Sequence, residues 1–161
     1  MTDSHFGAAA RDPDEAPLRV LVVDDHDVNR RVLAAILSKF GCSITLAATG
    51  EEAVDHAFLQ PFDLIVMDLY MPGIGGDEAT RQIRRLSASR SAFIARWSTD
   101  MPERLDAGLY DGELPKPITS EALLDVVSES SRRSRNRSED RTTGPERLSD
   151  ARRSLVSPLD D

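Results

Sequence analysis

Two short apolar, β-branched runs in this chain each end abruptly in acid, and that pattern leaves few folds open. Leu64-Ile65-Val66-Met67 is followed by Asp68, and Leu18 to Val23, interrupted only by Arg19, is followed by Asp24-Asp25. An apolar run without alternation is the pattern of a strand buried on both faces. Such strands belong to parallel sheets covered by helices, and those sheets bind ligands beyond the carboxyl ends of their strands. Asp68 is therefore the first candidate for a chemically active residue. Its other reading is a helix N-cap or a solvated loop acid.

The rest of the chain supplies the helices such a sheet needs. Apolar residues at 28, 32, 33, 36, 37 and 40 form a helical stripe that Gly41 closes. Ser43 to Ala48 predicts a short strand. Thr49-Gly50-Glu51-Glu52 fits the capping-box pattern and opens a helix that stops before Pro61. Gly73 to Gly76 predict a loop and Asp77 to Leu86 a helix, with acids in its first turn and Arg84 and Arg85 in its last, as the helix dipole favours. Ala92 to Trp97 predicts a fourth strand. A short fourth helix is expected between Ser98 and Gly108, starting near Pro102. Glu113-Leu114 predicts a brief fifth strand, and Thr119 or Ser120 can cap a last helix with apolar residues at 123, 124, 126 and 127. Strands alternating with helices predict an α/β fold, a doubly wound parallel sheet.

A chain of 161 residues has room for one domain with a real core. Residues 1–17 are small, polar and Pro-punctuated and read as a flexible leader; residues 18–130 carry the domain. From Ser131 onward the composition shifts to Ser, Arg, Asp and Glu, so residues 131–161 are expected to be a disordered tail that cannot offset its ordering entropy. Residues 18–130 hold eleven basic against eighteen acidic side chains, which argues against nucleic acid as a partner. No apolar run is long enough to span a membrane, no signal-peptide pattern opens the chain, and the single Cys42 has no internal disulfide partner. The expectation is a cytoplasmic protein with no membrane contact.

A parallel sheet gathers the C-terminal ends of its strands on one edge. That edge receives Asp24 and Asp25 from the first strand, Asp68 from the third, a hydroxyl of Ser98 or Thr99 from the fourth, and Lys116 from the fifth. Three neighbouring carboxylates repel strongly unless a cation sits among them, and hard oxygen donors of this kind suit Mg²⁺. Lys116 and the hydroxyl can hold phosphoryl oxygens, while the Asp carboxylate is a competent nucleophile. An aspartyl-phosphate site follows. His26 and His56 read as solvated helix residues, and Cys42 as a small packing residue.

The segments "VLVVDDHDVNR", "DLIVMDLYMPGIGG" and "LPKPI" resemble the receiver domain of two-component response regulators and hybrid histidine kinases, over Leu18 to about Ser130. The resemblance implies a flavodoxin-like (βα)₅ fold with strand order 2-1-3-4-5. It implies a signalling domain rather than a metabolic enzyme. Asp68 would accept a phosphoryl group from a phosphohistidine on a histidine kinase or histidine phosphotransfer protein. Asp25, Asp68 and the Tyr70 backbone carbonyl would bind Mg²⁺, with Asp24 acting through water. Lys116 would pair with the acceptor and the phosphoryl, and its bond to Pro117 would be cis.

The departures lie on the output side. Trp97 stands where the family places its switch Ser or Thr, so Ser98, or failing that Thr99, serves only if the strand end shifts. Glu113 stands where the family places an aromatic residue, three before the lysine. Two other functions compete. One is a degenerate receiver that binds a kinase without carrying phosphate. The other is a phosphohydrolase of the haloacid-dehalogenase type, which wants a second acid two residues after its nucleophile, where this chain has Tyr70.

Overall fold

In the computed structural model, which describes residues 15–100 and 108–142, the apolar runs pair side by side into one sheet. Strands β1 (Arg19–Val23), β2 (Ser43–Ala47), β3 (Leu64–Asp68), β4 (Phe93–Ser98) and β5 (Gly112–Pro115) are all parallel, in the order β2-β1-β3-β4-β5. Between and after them lie α1 (Asp27–Lys39), α2 (Gly50–Leu59), α3 (Gly76–Leu86) and α4 (Ser120–Thr142). The flavodoxin-like order expected from the sequence is the order observed.

The central strand is β3, buried along its whole length. Its side chains alternate between two cores. Leu64 and Val66 pack with Val20, Val22, Leu33, Leu37, Ala95, Trp97 and Leu123 under α1 and α4. Ile65 and Met67 pack with Leu21, Val23, Ala53, Ala79 and Ile83 under α2 and α3. Each fully buried aliphatic side chain contributes on the order of 2 kcal/mol, and this two-sided burial holds the end of β3, and so Asp68, in place.

The helix ends follow their sequence signals. Gly41 takes φ +74 after α1, a left-handed conformation open to glycine at little cost. At the start of α2, Thr49 Oγ1 accepts the Glu52 N–H at 3.1 Å, while Glu52 Oε2 accepts the Ala48 N–H at 2.7 Å. At the start of α4, Thr119 Oγ1 accepts the Ala122 N–H at 3.3 Å.

One expectation is corrected. Helix α4 does not stop near Ser130 but runs to Thr142, so residues 131–142 are helical rather than disordered. Charge, not apolar burial, anchors this extension. Arg133 Nη1 reaches Asp111 Oδ1 at 2.8 Å and lies over the Phe93 ring, 5.0 Å from its centroid. One turn on, Arg137 Nη2 meets Asp63 Oδ1 at 3.1 Å, and Ser134 Oγ donates to the same oxygen at 2.7 Å. Such contacts leave no hydrophobic period in the sequence. The rest of the expected tail (143–161), most of the leader (1–14) and the core of the expected fourth helix (101–107) lie outside the described residues.

Candidate functional site

Three strands deliver the site, and Lys116 ties it together. Its Nζ donates to Asp24 Oδ2 and to Asp68 Oδ1, each at 2.9 Å. Asp24, at the end of β1, is completely buried, and Asp68, the last residue of β3, is nearly so. A buried carboxylate needs hydrogen bonds or charge partners to remain ionised. Asp24 has them: the His26 N–H at 2.8 Å and the Asn29 amide at 3.1 Å join Lys116, while Arg30 Nη1 holds its backbone carbonyl at 2.6 Å.

These contacts set unequal proton affinities. Burial pushes the Asp24 carboxyl up, but Lys116, the His26 N–H and Asn29 outweigh it and hold the group below the usual carboxylate range. Burial also pushes Asp68 up, the Asp24 charge adds to it, and Lys116 and the Tyr70 N–H do not offset the two, so Asp68 stays above its ordinary value. Burial pulls Lys116 down, yet its two carboxylates raise it above an ordinary lysine. Of the two bridged acids, Asp68 is thus the one that holds a proton more readily.

The acid pair opens toward solvent at Asp25. Asp24, Asp25 and His26 each bring one ligand atom to within 4.8 Å of the others. His26 Nδ1 lies 3.3 Å from Asp24 Oδ1 and 3.0 Å from Asp25 Oδ1, although the imidazole is largely exposed. Asp25 Oδ1 is buried and has no hydrogen-bond partner. An orphaned buried carboxylate oxygen beside a second acid is what a hard cation satisfies, so the donor set fits Mg²⁺.

The loop after β3 is shaped around Asp68. A Cβ on Gly76 would overlap the Asp68 carbonyl oxygen, and the Gly76 N–H donates to Leu69 O at 3.0 Å. Gly73 adopts φ +80, and Glu51 Oε1 accepts the neighbouring Ile74 N–H at 3.1 Å. Tyr70 is well exposed, and its backbone N–H is the group that contacts the Asp68 carboxylate. The Lys116–Pro117 bond is cis.

Strand register decides which residue of β4 faces Asp68. The partner is Trp97, not Ser98. The Trp97 ring lies in the α1/α4 core with Val66 and Leu114, and Lys116 Nζ sits over it, 4.7 Å from the ring centroid. Ser98 is buried one step further along; its Oγ accepts the Asp100 N–H at 3.1 Å, and its carbonyl accepts the Lys116 N–H at 3.0 Å. Thr99 is exposed and lines a cavity of about 380 Å³ together with Asn29, Val32, Trp97, Lys116 and Ile118.

The sequence reading brought Asp24, Asp25, Asp68 and Lys116 to this edge. It did not find Asn29, Arg30 or the approach of His26 to both acids. A residue five or six places after Asp24 on a helix that starts beside it was the available signal, since one turn and a half of helix returns such side chains to the strand end.

The response regulator receiver domain family matches residues 20–128. The chain belongs to that family, and it is a receiver domain of two-component signalling. It is 39% identical over 111 residues to the response regulator MprA of Mycolicibacterium vanbaalenii, covering 67% of this chain and 48% of that protein. It is 32% identical over 118 residues to the sensory/regulatory protein RpfC of Xanthomonas campestris, covering 70% of this chain and 16% of that protein. The chain therefore spans less than half the length of either relative. Among solved structures, the receiver domain of a sensor histidine kinase from Pseudomonas aeruginosa, with a magnesium ion coordinated in its active-site cleft, superposes with a TM-score of 0.65 at 32% identity, covering 71% of this chain and 97% of that one. Among the described residues, no helix is long and apolar enough to cross a membrane.

Proposed function

We propose that this chain accepts a phosphoryl group on Asp68 from a phosphohistidine of a histidine kinase or histidine phosphotransfer protein. One observation carries the reading: Lys116 Nζ bridges the two buried carboxylates of Asp24 and Asp68 at 2.9 Å each, beside a buried Asp25 oxygen that accepts no hydrogen bond.

The chemistry is an in-line displacement. An Asp68 carboxylate oxygen attacks the phosphorus, the new P–O bond forms as the P–N bond to the imidazole breaks, and the imidazole leaves with the bonding pair. Burial and the Asp24 charge raise the proton affinity of the Asp68 carboxylate, and with it its nucleophilicity relative to Asp24. Lys116 lies where it can neutralise charge on the acceptor and on the arriving phosphoryl. Asp24, Asp25 and Asp68 would hold Mg²⁺, which when bound supplies positive charge to the phosphoryl oxygens. Lys116, the His26 N–H and Asn29 hold the Asp24 carboxyl below its ordinary range, and Arg30 fixes its backbone carbonyl.

The partner would approach over the exposed flank of α1, where Val28 and Val32 are 71% and 53% exposed next to Arg31. A mixed apolar and basic flank beside the acceptor suits a helical protein carrying a histidine. The functional unit is residues 18–130, carrying the α4 extension behind it.

The test is phosphorylation by a small acyl phosphodonor with Mg²⁺, followed by mass and acid-labile phosphate. The expected result is one phosphoryl per chain, absent in Asp68→Ala. The second reading, a receiver that binds its kinase without carrying phosphate, draws on Trp97 in register with Asp68. It is favoured if the wild-type chain binds a kinase yet takes up no phosphate.

A further inference from the structure

We propose that Trp97 is a positioning residue for phosphoryl acceptance, acting through Lys116: the indole face fixes the ammonium between Asp24 and Asp68 and stands in the place where the family carries a hydroxyl. The inference rests on the phosphoacceptor role of Asp68.

Three independent features of Trp97 point this way. First, its position: β3 and β4 pair Asp68 with Trp97, so both side chains stand on the same face of the sheet at the same height. The residue that follows, Ser98, belongs by the two-residue period of a strand to the opposite face, with Arg96, and its hydroxyl is engaged by the Asp100 N–H. Second, its contact: Lys116 Nζ lies 4.7 Å from the ring centroid. An ammonium has three N–H donors. Two go to the carboxylates at 2.9 Å, and the ring face is the remaining electron-rich neighbour. Third, its chemistry: the ring is 5% exposed, packed against Val66, Leu114 and Leu123, and its Nε1 has no hydrogen-bond partner. A buried indole ordinarily satisfies its N–H. Here the ring is placed for what its face does, at the expense of its edge.

The physical consequence concerns a flexible side chain. Lysine carries four rotatable methylene links and loses close to 2 kcal/mol of rotamer freedom when held in one place. Walling it in with an aromatic face fixes the ammonium before the phosphoryl arrives, so that less ordering remains to be done in the transition state. A serine or threonine at this position would instead offer a hydrogen bond to a phosphoryl oxygen. Trp97 offers no hydroxyl and acts one step removed, on the cation.

The experiment compares initial rates of Asp68 phosphorylation from a small acyl phosphodonor with Mg²⁺ in the full chain and in Trp97→Phe, Trp97→Leu and Trp97→Met. Phe keeps an aromatic face without the N–H; Leu and Met keep apolar bulk without the face. Thermal melts establish which variants are folded, and the two aliphatic variants guard against the loss of either. Trp97→Phe is expected within about twofold of wild type, and the aliphatic variants about tenfold slower, the scale of a desolvated cation–π contact. NMR of the Lys116 side chain adds a readout that loose packing alone would not give: its terminal methylene protons should be ring-shifted in wild type and Phe, and not in Leu or Met. Equal rates in all folded variants, or a Phe variant as slow as Leu, overturn the role of the ring face. A wild-type chain that takes up no phosphate overturns the phosphoacceptor reading itself, a distinct result.

Discussion

Arg96 on β4 and Glu113 on β5 are register partners and form an ion pair, on the face of the sheet opposite Trp97. The pair is mostly buried, with side chains 10% and 17% exposed. Arg96 also lies over the Tyr110 ring, 5.8 Å from its centroid, and the Tyr110 hydroxyl donates to Asp77 Oδ1 at 2.7 Å in the first turn of α3. Glu113 occupies the place of the family's aromatic residue, and it is committed to a salt bridge. A continuous chain of polar contacts, Asp77–Tyr110–Arg96–Glu113, runs along this face of the sheet.

Glu113→Ala is expected to destabilise the domain by about 3 kcal/mol, because the Arg96 guanidinium is left buried without its carboxylate. The double replacement Arg96→Met with Glu113→Leu should recover most of that loss. Urea unfolding of the single and double variants makes the comparison; a single variant as stable as wild type would show that the pair is solvated in solution.

The raised proton affinity of Asp68 gives a signed pH dependence. A group whose folded pKa lies above its unfolded value contributes stability at low pH and loses it as pH rises through the folded value. Ionised Asp68 therefore costs stability at neutral pH. Asp68→Asn, neutral throughout, is expected to be more stable than wild type at pH 7 in chelator, with the gap closing as pH falls through the Asp68 pKa. Asp24 has the opposite sign. Its depressed pKa adds stability above the carboxylate range that is lost in acid, so Asp24→Asn should be less stable than wild type at pH 7. Thermal melts between pH 3 and 8, as a broad window spanning ordinary carboxylate pKa values, read both.

Mg²⁺ is expected to stabilise the wild-type chain, since a ligand that binds only the folded state adds about 2.7 kcal/mol at one hundred times its Kd. Asp25→Asn should remove most of the shift, because its buried Oδ1 accepts no hydrogen bond within the chain. Chelator should reverse the effect. A melting temperature indifferent to Mg²⁺ and chelator would remove the metal from this site.

Gly76→Ala places a methyl group on the Asp68 carbonyl oxygen, a backbone atom that cannot swing aside. The loop must shift to admit it, and a cost of about 2 kcal/mol or more is expected. Phosphate uptake should fall even in the folded fraction, whereas Gly75→Ala, whose Cβ would sit 3.4 Å from Leu69 O, should be mild.

Removing the anchors of the α4 extension should loosen it while leaving the site intact. Arg133 and Arg137 are 43% and 36% exposed, so their pairs with Asp111 and Asp63 are screened, and Arg133→Ala with Arg137→Ala should cost about 1 kcal/mol together. Hydrogen exchange is expected to rise in residues 131–142 and not in α1, and added salt should mimic the change.

The sheet and the acids at its edge were legible because their signals are local. A buried strand shows itself in four or five consecutive residues, as in Leu64 to Met67, and a capping box in four, as at Thr49 to Glu52. The extension of α4 was not legible, because its anchors are single charges meeting Asp63 and Asp111 far away in the chain, which leave no apolar period. Nor was the face of Ser98. A shift of one residue in strand register turns a side chain through the sheet, and register is set by the packing of all five strands together.

The sequence by itself determined a parallel, helix-covered sheet with Asp24, Asp25, Asp68 and Lys116 at one edge, because burial and chain direction are written in runs of neighbouring residues. Only the tertiary structure decided that Lys116 bridges Asp24 and Asp68, partners 92 and 48 residues away. It also seated Lys116 over the indole of Trp97, the residue that the resemblance had put in the place of the switch hydroxyl. Contacts at such separations depend on how strands align across the sheet, and no stretch of sequence records that alignment.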